Sequence, residues 1–334
     1  MTAPIRLPIT VHHVRVPFRT PFATPAGDWA ARESWIVSVR GEGGRIGIGE
    51  AVADGDDALA GAVAAALLDI DAAVPAVLGR GGDGIGVNAT LPGLDPLTTA
   101  MAARLAVAAG YRTLKLKAGA RDTVGELAVR VASVRDAVGD GIALRLDANG
   151  TWTLDEASAR CDALVPYGLQ YVEQPMAPAA LDDAAELRRR VGAGVRVAAD
   201  EAVTSLDAAR LLLDAGAADV LVVKPARVGG PVVVAEIARL AAEHGVPVVI
   251  SSLFETGVGL ALGLRCAALL PDVPGWAAAQ RDHGLATADL LVDDLLEEPL
   301  PVDRGRMRVP GGPGSGGLGV VLDEAAVARF AVAP

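Results

Sequence analysis

From residue 86 to residue 284 the chain alternates short apolar runs with segments of helical periodicity. Nearly all neighbouring apolar runs are separated by such a helical segment. Strands that alternate with helices at this interval are typical of a parallel β/α barrel, so the pattern predicts an α/β, TIM-like barrel. The eight runs occupy residues 86–92, 112–119, 143–150, 170–175, 196–202, 219–226, 247–254 and 276–284.

The regions on either side of these runs have a different pattern. Polar and apolar positions alternate as in antiparallel strands at 6–17 and 34–52, with a turn at 41–44, a polar loop at 19–33 and Ala/Leu helices at 56–79. The tail from 296 is rich in Gly and Pro, and one further strand is predicted at 319–323. We therefore expect an α+β capping domain at 1–85, completed by 296–334, and a barrel domain at 86–295.

Helix signals lie between the barrel runs. Thr153 and Glu156 have the spacing of a capping box, and Gly216 follows an apolar helical segment as a C-terminal glycine does. The segment 257–275 is apolar almost throughout, which predicts a buried helix.

Composition and charge limit the partners. The chain has 334 residues, 51% of them hydrophobic, a net charge of −11 and only two cysteines, which we expect to be reduced core thiols. An acidic chain opposes binding to nucleic acid and to anionic membranes. The start of the sequence has no continuous apolar signal segment, so we expect a soluble cytoplasmic protein. A small carboxylate substrate is still compatible with the net charge where the local site is cationic. The oligomeric state is not encoded in any pattern that we can read.

Three acidic residues each close an apolar run. Asp147, Glu173 and Asp200 follow one another 26 and then 27 residues apart, one per strand-plus-helix repeat, so they should meet at one end of the barrel. Three adjacent carboxylates would repel by on the order of 10 kcal/mol unless protons or a metal neutralise them. Oxygen ligands without Cys or His favour Mg²⁺, with Mn²⁺ as a substitute.

Lysines flank this acidic series. Lys115 and Lys117 are two apart on one predicted strand and therefore point the same way, and Lys224 ends a strand across the barrel mouth. Burial in the barrel is expected to lower the pKa of such a lysine, so that it can act as a base. Amines on opposite sides of a metal site indicate abstraction of a proton next to a carboxylate.

Taken together, KLKAG (115–119), RLDANGTW (145–152), YVEQP (171–175), AADEA (198–202) and VKPARVGG (223–230) resemble the muconate-lactonizing subgroup of the enolase superfamily. The resemblance implies a (β/α)7β barrel with a capping domain, and Asp147, Glu173 and Asp200 as Mg²⁺ ligands. It also implies that Lys117 is the general base, with Lys115 as its close partner and Lys224 as the opposite lysine. Residues that support the ligands would be Asn149, Gln174 and Glu201.

Within the subgroup, VNATLP (87–92), SSLFETGVGLALG (251–263) and HGLATADLLVDDL (283–295) resemble a dehydratase. This implies syn-dehydration of a succinyl-bearing cyclohexadiene carboxylate in menaquinone biosynthesis, with Ser251 and Ser252 binding the succinyl carboxylate. The alternatives within the subgroup are an N-acylamino acid racemase, a dipeptide epimerase and a muconate cycloisomerase. Outside it stand a Schiff-base barrel aldolase that uses Lys224 and a non-catalytic binding protein.

Overall fold

The structure is a computed structural model. It describes residues 8–24, 27–41, 46–52, 62–63, 84–91, 95–119, 121–276, 281–311 and 318–333. The turn predicted at 41–44 and the helices predicted at 56–79 lie mostly outside these residues.

Three antiparallel strands, which we call the cap sheet, form the N-terminal part of the fold. They are β1 (Ile9–Thr24), β2 (Gly27–Arg40) and β3 (Ile46–Val52), paired in that order. The loop predicted at 19–33 is wrong for most of its length, because β1 and β2 remain paired up to Thr24 and Gly27, with one register shift between Pro17 and Phe22. The prolines of this segment are typical of a loop. They are tolerated in β1 because it is an edge strand of the sheet.

The remaining strands are short. They are β4 (Ile85–Gly86), β5 (Ala89–Leu91), β6 (Thr113–Lys117), β7 (Ala143–Asp147), β8 (Leu169–Glu173), β9 (Val197–Ala199), β10 (Val220–Val223), β11 (Val248–Ile250), β12 (Val302–Asp303) and β13 (Arg306–Met307). Strands β5 to β11 form one parallel sheet in chain order. Parallel bridges from Val87 to His283 and from Ser251 to Gly284 join its two edges through the eighth predicted run, so the TIM-like barrel is confirmed.

The helices follow the predicted repeat. They are α1 (Pro96–Ala108), α2 (Val124–Val138), α3 (Leu154–Leu164), α4 (Leu181–Val191), α5 (Leu206–Asp214), α6 (Pro225–Val228), α7 (Pro231–Glu243), α8 (Gly257–Ala268) and α9 (Glu324–Phe330). The capping box of Thr153 and Glu156 is confirmed at the start of α3, and the predicted buried helix is α8. Among the described helices, none is long and apolar enough to cross a bilayer.

The C-terminal tail returns to the cap sheet and the start of the barrel. Strands β12 and β13 extend β4, and a bridge between Val14 and Ala331 holds the end of α9 against β1. The strand predicted at 319–323 is wrong: Leu322 makes a single bridge, and Asp323 then caps α9. The boundary at residue 85 stays a prediction, because residues 64–83 lie outside the described part of the chain.

One apolar cluster spans the cap sheet and the barrel. It contains Val14, Val16 and Ile36 from the cap sheet together with Ile250 and Val258 from the barrel, all essentially without solvent exposure. Burial of this shared surface holds the two parts in one arrangement.

Candidate active site

The charged residues predicted from the sequence meet at the carboxyl ends of adjacent strands. Lys117 pairs in register with Asp147, and Asp147 with Glu173, so these three side chains form one layer across β6, β7 and β8. Asp200 directly follows β9, and Lys224 directly follows β10. The carboxyl end of a β/α barrel is where the loops build active sites.

Lysine 115 links two of the carboxylates. Its Nζ lies 2.6 Å from Glu173 Oε1 and 2.8 Å from Asp147 Oδ2. Lys117 Nζ lies 2.6 Å from the same Asp147 oxygen and donates to Asn149 Oδ1 at 3.0 Å. Both carboxylates are about 1% exposed, so the acceptor side of each ion pair is shielded from solvent, which strengthens the charge-assisted hydrogen bonds.

The third carboxylate has its own cations. Lys224 Nζ lies 2.6 Å from Asp200 Oδ2, and Arg227 Nη1 lies 3.1 Å from Asp200 Oδ1. The sequence prediction missed Arg227. The available signal was its position three residues after Lys224, which on the short helix α6 puts both side chains on one face.

The ionisation of the cluster follows from burial and from these neighbours. Burial, with Asp147 and Asp200 nearby, raises the pKa of Glu173 to about 8. Burial alone would raise the pKa of Asp147, but the ammonium groups of Lys115 and Lys117 hold it below its usual range. Burial would lower the pKa of Lys115, yet Asp147 and Glu173 outweigh it and raise that pKa well above the usual value, so the expected lowering is wrong for Lys115.

The donor chemistry suits a hard divalent cation. Asp147, Glu173 and Asp200 are three buried carboxylates whose mutual repulsion contributes to the raised pKa of Glu173. In the described residues no group of three His, Cys, Asp or Glu side chains is already arranged around one point. The carboxylate oxygens are instead in ion pairs with the three lysines. A cation would compete with Lys115 and Lys224 for those oxygens. The ligand set stays a prediction.

Two residues next to the acids have unusual backbones. Asn149 and Gln174 have φ of 48° and 38°, a region that few non-glycine residues adopt. Gln174 Oε1 accepts from the N–H groups of Asp200 and Ala202. Asn149 Nδ2 donates to Glu201 Oε1 at 3.1 Å. These hydrogen bonds tie the residues that follow β7 and β8 to those that follow β9, as supports for a ligand set would.

A buried cation lies beneath this layer. Arg145 pairs in register with Lys115 and has no exposed surface. It donates to Asn88 Oδ1 at 3.0 Å, to the Asp282 carbonyl at 2.8 Å and to Gln170 Oε1 at 2.6 Å. Next to it, His283 Nδ1 accepts from the Ile250 N–H at 2.9 Å, which joins the eighth run to β11.

The loop 251–256, between β11 and α8, forms another edge of the mouth. Ser251 Oγ donates to the Gly284 carbonyl at 3.4 Å, and the Ser252 hydroxyl lies 2.9 Å from that of Thr287. Ser252 is buried. Their predicted role in substrate binding remains a prediction.

The cap sheet covers this loop with aromatic and cationic side chains. Phe18 and Trp29 make edge contacts with Phe254, at 6.1 and 6.5 Å between ring centroids. Arg32 stacks over Trp29 at 4.8 Å and donates to the Leu253 carbonyl at 2.7 Å. The sequence analysis predicted a loop at 19–33 and none of these contacts, since those with Leu253 and Phe254 join residues more than 200 positions apart.

All lysines of the chain belong to this site. The sequence contains 30 Lys and Arg residues, but lysine occurs only at 115, 117 and 224. Arginine remains protonated in proteins, whereas lysine can lose its proton when its surroundings favour this. Each ammonium group at this site can therefore transfer its proton, which a guanidinium in its place could not do.

The chain is similar in sequence to a known protein family and to individual known proteins. A family model described as "Enolase C-terminal domain-like" matches residues 98–326. An o-succinylbenzoate synthase of Thermobifida fusca (strain YX) is 42% identical over 219 residues, 65% of this chain and 64% of that protein. One of Mycobacterium ulcerans (strain Agy99) is 40% identical over 221 residues, 66% of this chain and 62% of that protein. The matched region thus spans less than two thirds of each relative.

A solved structure extends the similarity over nearly the whole chain. Muconate lactonizing enzyme from Pseudomonas fluorescens, complexed with muconolactone, superposes with a TM-score of 0.84 at 23% identity, covering 97% of this chain and 98% of that one. At this identity the superposition shows the fold alone. The matched family model, the barrel and its capping sheet establish that the chain belongs to the Enolase C-terminal domain-like family of the enolase superfamily.

Proposed function

We propose that this protein is an o-succinylbenzoate synthase, a lyase that dehydrates the cyclohexadiene carboxylate SHCHC to o-succinylbenzoate in menaquinone biosynthesis. The observation that carries the proposal is the placement of Lys117 and Lys224, each 2.6 Å from a different buried carboxylate at the barrel mouth. The relatives named o-succinylbenzoate synthase support it, since the aligned identity reaches 42%.

The acidic residues would hold the cofactor. Asp147, Glu173 and Asp200 are the proposed ligands of Mg²⁺, or of Mn²⁺ in its place. When bound, the cation supplies electrostatic stabilisation of the negative charge that develops on the substrate carboxylate as the α-proton leaves. The hydrogen bonds of Asn149 and Gln174 keep the strand ends that carry these ligands in place.

The lysines would perform the proton transfers. Lys117, as a neutral amine, removes the proton α to the ring carboxylate, and the same side chain returns that proton to the departing hydroxyl on the same face. One proton and one hydroxide leave as water, and the ring becomes aromatic. Lys115 keeps its charge between Asp147 and Glu173. Lys224, on the other side, places a cation near the ring of the intermediate.

Substrate turnover tests this proposal. Purified protein with Mg²⁺ should convert SHCHC to o-succinylbenzoate, followed by its aromatic absorbance. Lys117→Ala should lower kcat by about 10²- to 10⁴-fold, because general base catalysis contributes that much. Lys117→Arg should lose as much, since it keeps the charge but cannot release the proton. Absence of product, or an active Lys117→Ala variant, would contradict the proposal.

A racemase of N-acylamino acids is the second candidate. Amines on both sides of the acidic cluster are what a two-base proton transfer needs. N-succinyl amino acids incubated in D₂O would distinguish the two: rapid exchange of the α-hydrogen without o-succinylbenzoate synthesis favours the racemase. Stoichiometric labelling of Lys224 by borohydride would instead indicate an aldolase that forms a Schiff base.

The remaining assignments belong to the same proposal. The substrate is a small carboxylate bound in the mouth, and the protein acts in the cytoplasm without a nucleic acid or membrane partner. The net charge of −11 supports the absence of nucleic acid and membrane partners, because a strongly acidic protein is repelled by polyanions and by anionic membrane surfaces.

A further inference from the structure

A carboxylate of the cap sheet is buried against the barrel. Glu50, on β3, is 4% exposed. Oε1 accepts from Ser34 Oγ at 2.7 Å and from the Thr256 N–H at 3.1 Å, and Oε2 accepts from Thr256 Oγ1 at 2.6 Å and from the Gly259 N–H at 2.9 Å. Three of these four bonds cross from the cap sheet to the barrel.

These bonds complete the N-terminus of α8 from outside the helix. Thr256 is the N-cap residue of α8, and its side chain makes no capping bond within the helix. In a capping box, a Glu at N3 would return a bond to the N-cap N–H; here N3 is Gly259. A Cβ there would lie 2.4 Å from Glu255 Cβ and 3.2 Å from Glu50 Oε2. The glycine thus leaves room for the Glu50 carboxylate to take the place of the missing side chain.

The loop 251–256 that leads into α8 is held in a strained form. Phe254 has φ of 63°, which is costly for a residue with a bulky side chain. The Leu253 carbonyl accepts from Arg32, and the Leu253 N–H donates to Glu255 Oε2 at 2.6 Å. Such a conformation persists only where the surroundings impose it. Here the cap sheet holds the loop at Leu253 through Arg32 and at Thr256 through Glu50.

We propose that Glu50 is a positioning residue: by capping α8 across the cap–barrel junction it fixes the loop 251–256, the edge of the mouth that receives the distal carboxylate of the substrate. This inference rests on the proposed function. Loss of the Glu50 carboxylate should therefore weaken substrate binding while the lysine chemistry continues. The hydrogen-bond partners of Glu50 described above are Ser34, Thr256 and Gly259, and none of them is a lysine or carboxylate of the candidate active site.

Hydrogen exchange tests the positioning without reference to activity. Glu50→Gln keeps the shape of the side chain but replaces one acceptor oxygen with an NH₂ group facing a donor. Exchange of amides in a peptide covering 251–259 should become about tenfold faster or more, as expected when hydrogen bonds to a buried carboxylate are lost. Thr256→Val, which removes the hydroxyl bonded to the same carboxylate, should change exchange in the same direction.

Asp294→Asn is the matched control. Asp294 Oδ1 accepts from the Gly257 N–H at 2.7 Å, so it caps the same helix from the segment after the barrel. Exchange in residues 251–256 should stay near wild type in this variant. An equal increase in Asp294→Asn and Glu50→Gln would overturn the proposal, because the loop would then respond to any loss of helix capping.

Kinetics supply the second readout. With SHCHC, Glu50→Gln should raise KM by about tenfold with kcat within about twofold of wild type, the signature of lost uniform binding. Glu50→Asp, which keeps the charge, should recover part of the KM. A fall in kcat with unchanged KM would overturn the positioning role. If wild-type protein fails to turn over SHCHC, the proposed function fails, and the exchange measurement still decides whether Glu50 holds the loop.

Discussion

At the scale of single residues, the kind of basic side chain separates structure from chemistry. Arginines make buried structural contacts, such as that of Arg145 beneath the site and that of Arg265 with the Leu318 carbonyl. Lysine is confined to the barrel mouth. Arginine supplies a permanent charge and a fixed hydrogen-bonding plane, whereas an amine can release its proton. The proposed base Lys117 therefore has a side chain that can release its proton, which an arginine at that position could not do.

His283 gives a residue-scale prediction for acid stability. Burial, with Arg145 and Arg281 nearby, lowers the pKa of His283 from 6.5 to about 3. Between pH 6.5 and pH 3 the unfolded chain therefore binds a proton at His283 that the native state does not bind. The free energy of unfolding falls by about 1.4 kcal/mol for each pH unit below about 6.5. Between pH 7 and pH 5, urea unfolding should show a loss about 2 kcal/mol larger for wild type than for His283→Asn.

The control for this measurement is His244→Asn, at the partly exposed C-cap of α7. Its stability, measured over the same pH range, gives the reference for loss of a histidine outside the barrel sheet. An unchanged slope in His283→Asn would show that other groups account for the acid sensitivity.

The residues of the candidate site were predictable to different degrees. Asp147, Glu173 and Asp200 could be found because each closes an apolar run, and the fold brings the ends of neighbouring parallel strands together. Glu50 could not, because its partner Thr256 is 206 positions away and no local pattern links them. The ion pairs that raise the pKa of Lys115 likewise depend on side-chain distances that only the folded chain defines.

At the scale of elements, two helical glycines have opposite surroundings. A Cβ at Gly259 would collide with Glu255, whereas a Cβ at Gly125, in α2, would have no atom within 4 Å. Alanine favours the helical state over glycine by about 1 kcal/mol in a helix interior. Whether that gain is realised depends on the space around the new methyl group.

The same substitution should therefore have opposite effects in the two helices. Gly125→Ala should stabilise the protein by about 0.5 kcal/mol, because the unfolded chain loses freedom without a clash. Gly259→Ala should destabilise it by about 1–3 kcal/mol, because the core around Glu255 is already filled. Thermal or urea unfolding of both variants checks this; stabilisation by Gly259→Ala would show that the start of α8 can shift to make room.

Helices and strands were predicted correctly where a single hydrophobic pattern runs through the segment. They were predicted wrongly where that pattern conflicts with residues typical of another structure. The barrel strands were readable because each is an apolar run between helical segments. The polar residues, prolines and glycine of RTPFATPAGDWAARE suggested a loop at 19–33, yet β1 and β2 occupy most of this segment. Strand β1 lies at the edge of the sheet, where proline is tolerated. At 319–323 the apolar run suggested a strand, but Asp323 accepts from the N–H groups of Ala325 and Ala326 and starts α9 instead.

At the scale of the whole molecule, the distribution of amines gives a test of the cation site. Lys117 is the most exposed of the three lysines, at 33% of its side chain against 12% and 11% for Lys115 and Lys224. An acetylating reagent should modify Lys117 first. Saturating Mg²⁺ should speed modification of Lys224, because a cation that takes up the Asp200 oxygens leaves that amine without its partner.

Peptide mass spectrometry measures these rates. Ca²⁺, which prefers longer bonds and more ligands, serves as the comparison ion. A modification rate of Lys224 that does not respond to saturating Mg²⁺ would count against Asp200 as a ligand.

The confinement of lysine to the mouth also has a practical consequence. Attaching the protein to a sensor surface through its lysine side chains, or cross-linking it through them, would anchor it at the candidate active site and obstruct the barrel mouth. The two cysteines offer no alternative handle, since both are buried. A lysine introduced on the outer face of α1, where Met101 is exposed, would provide a tether that leaves the mouth open.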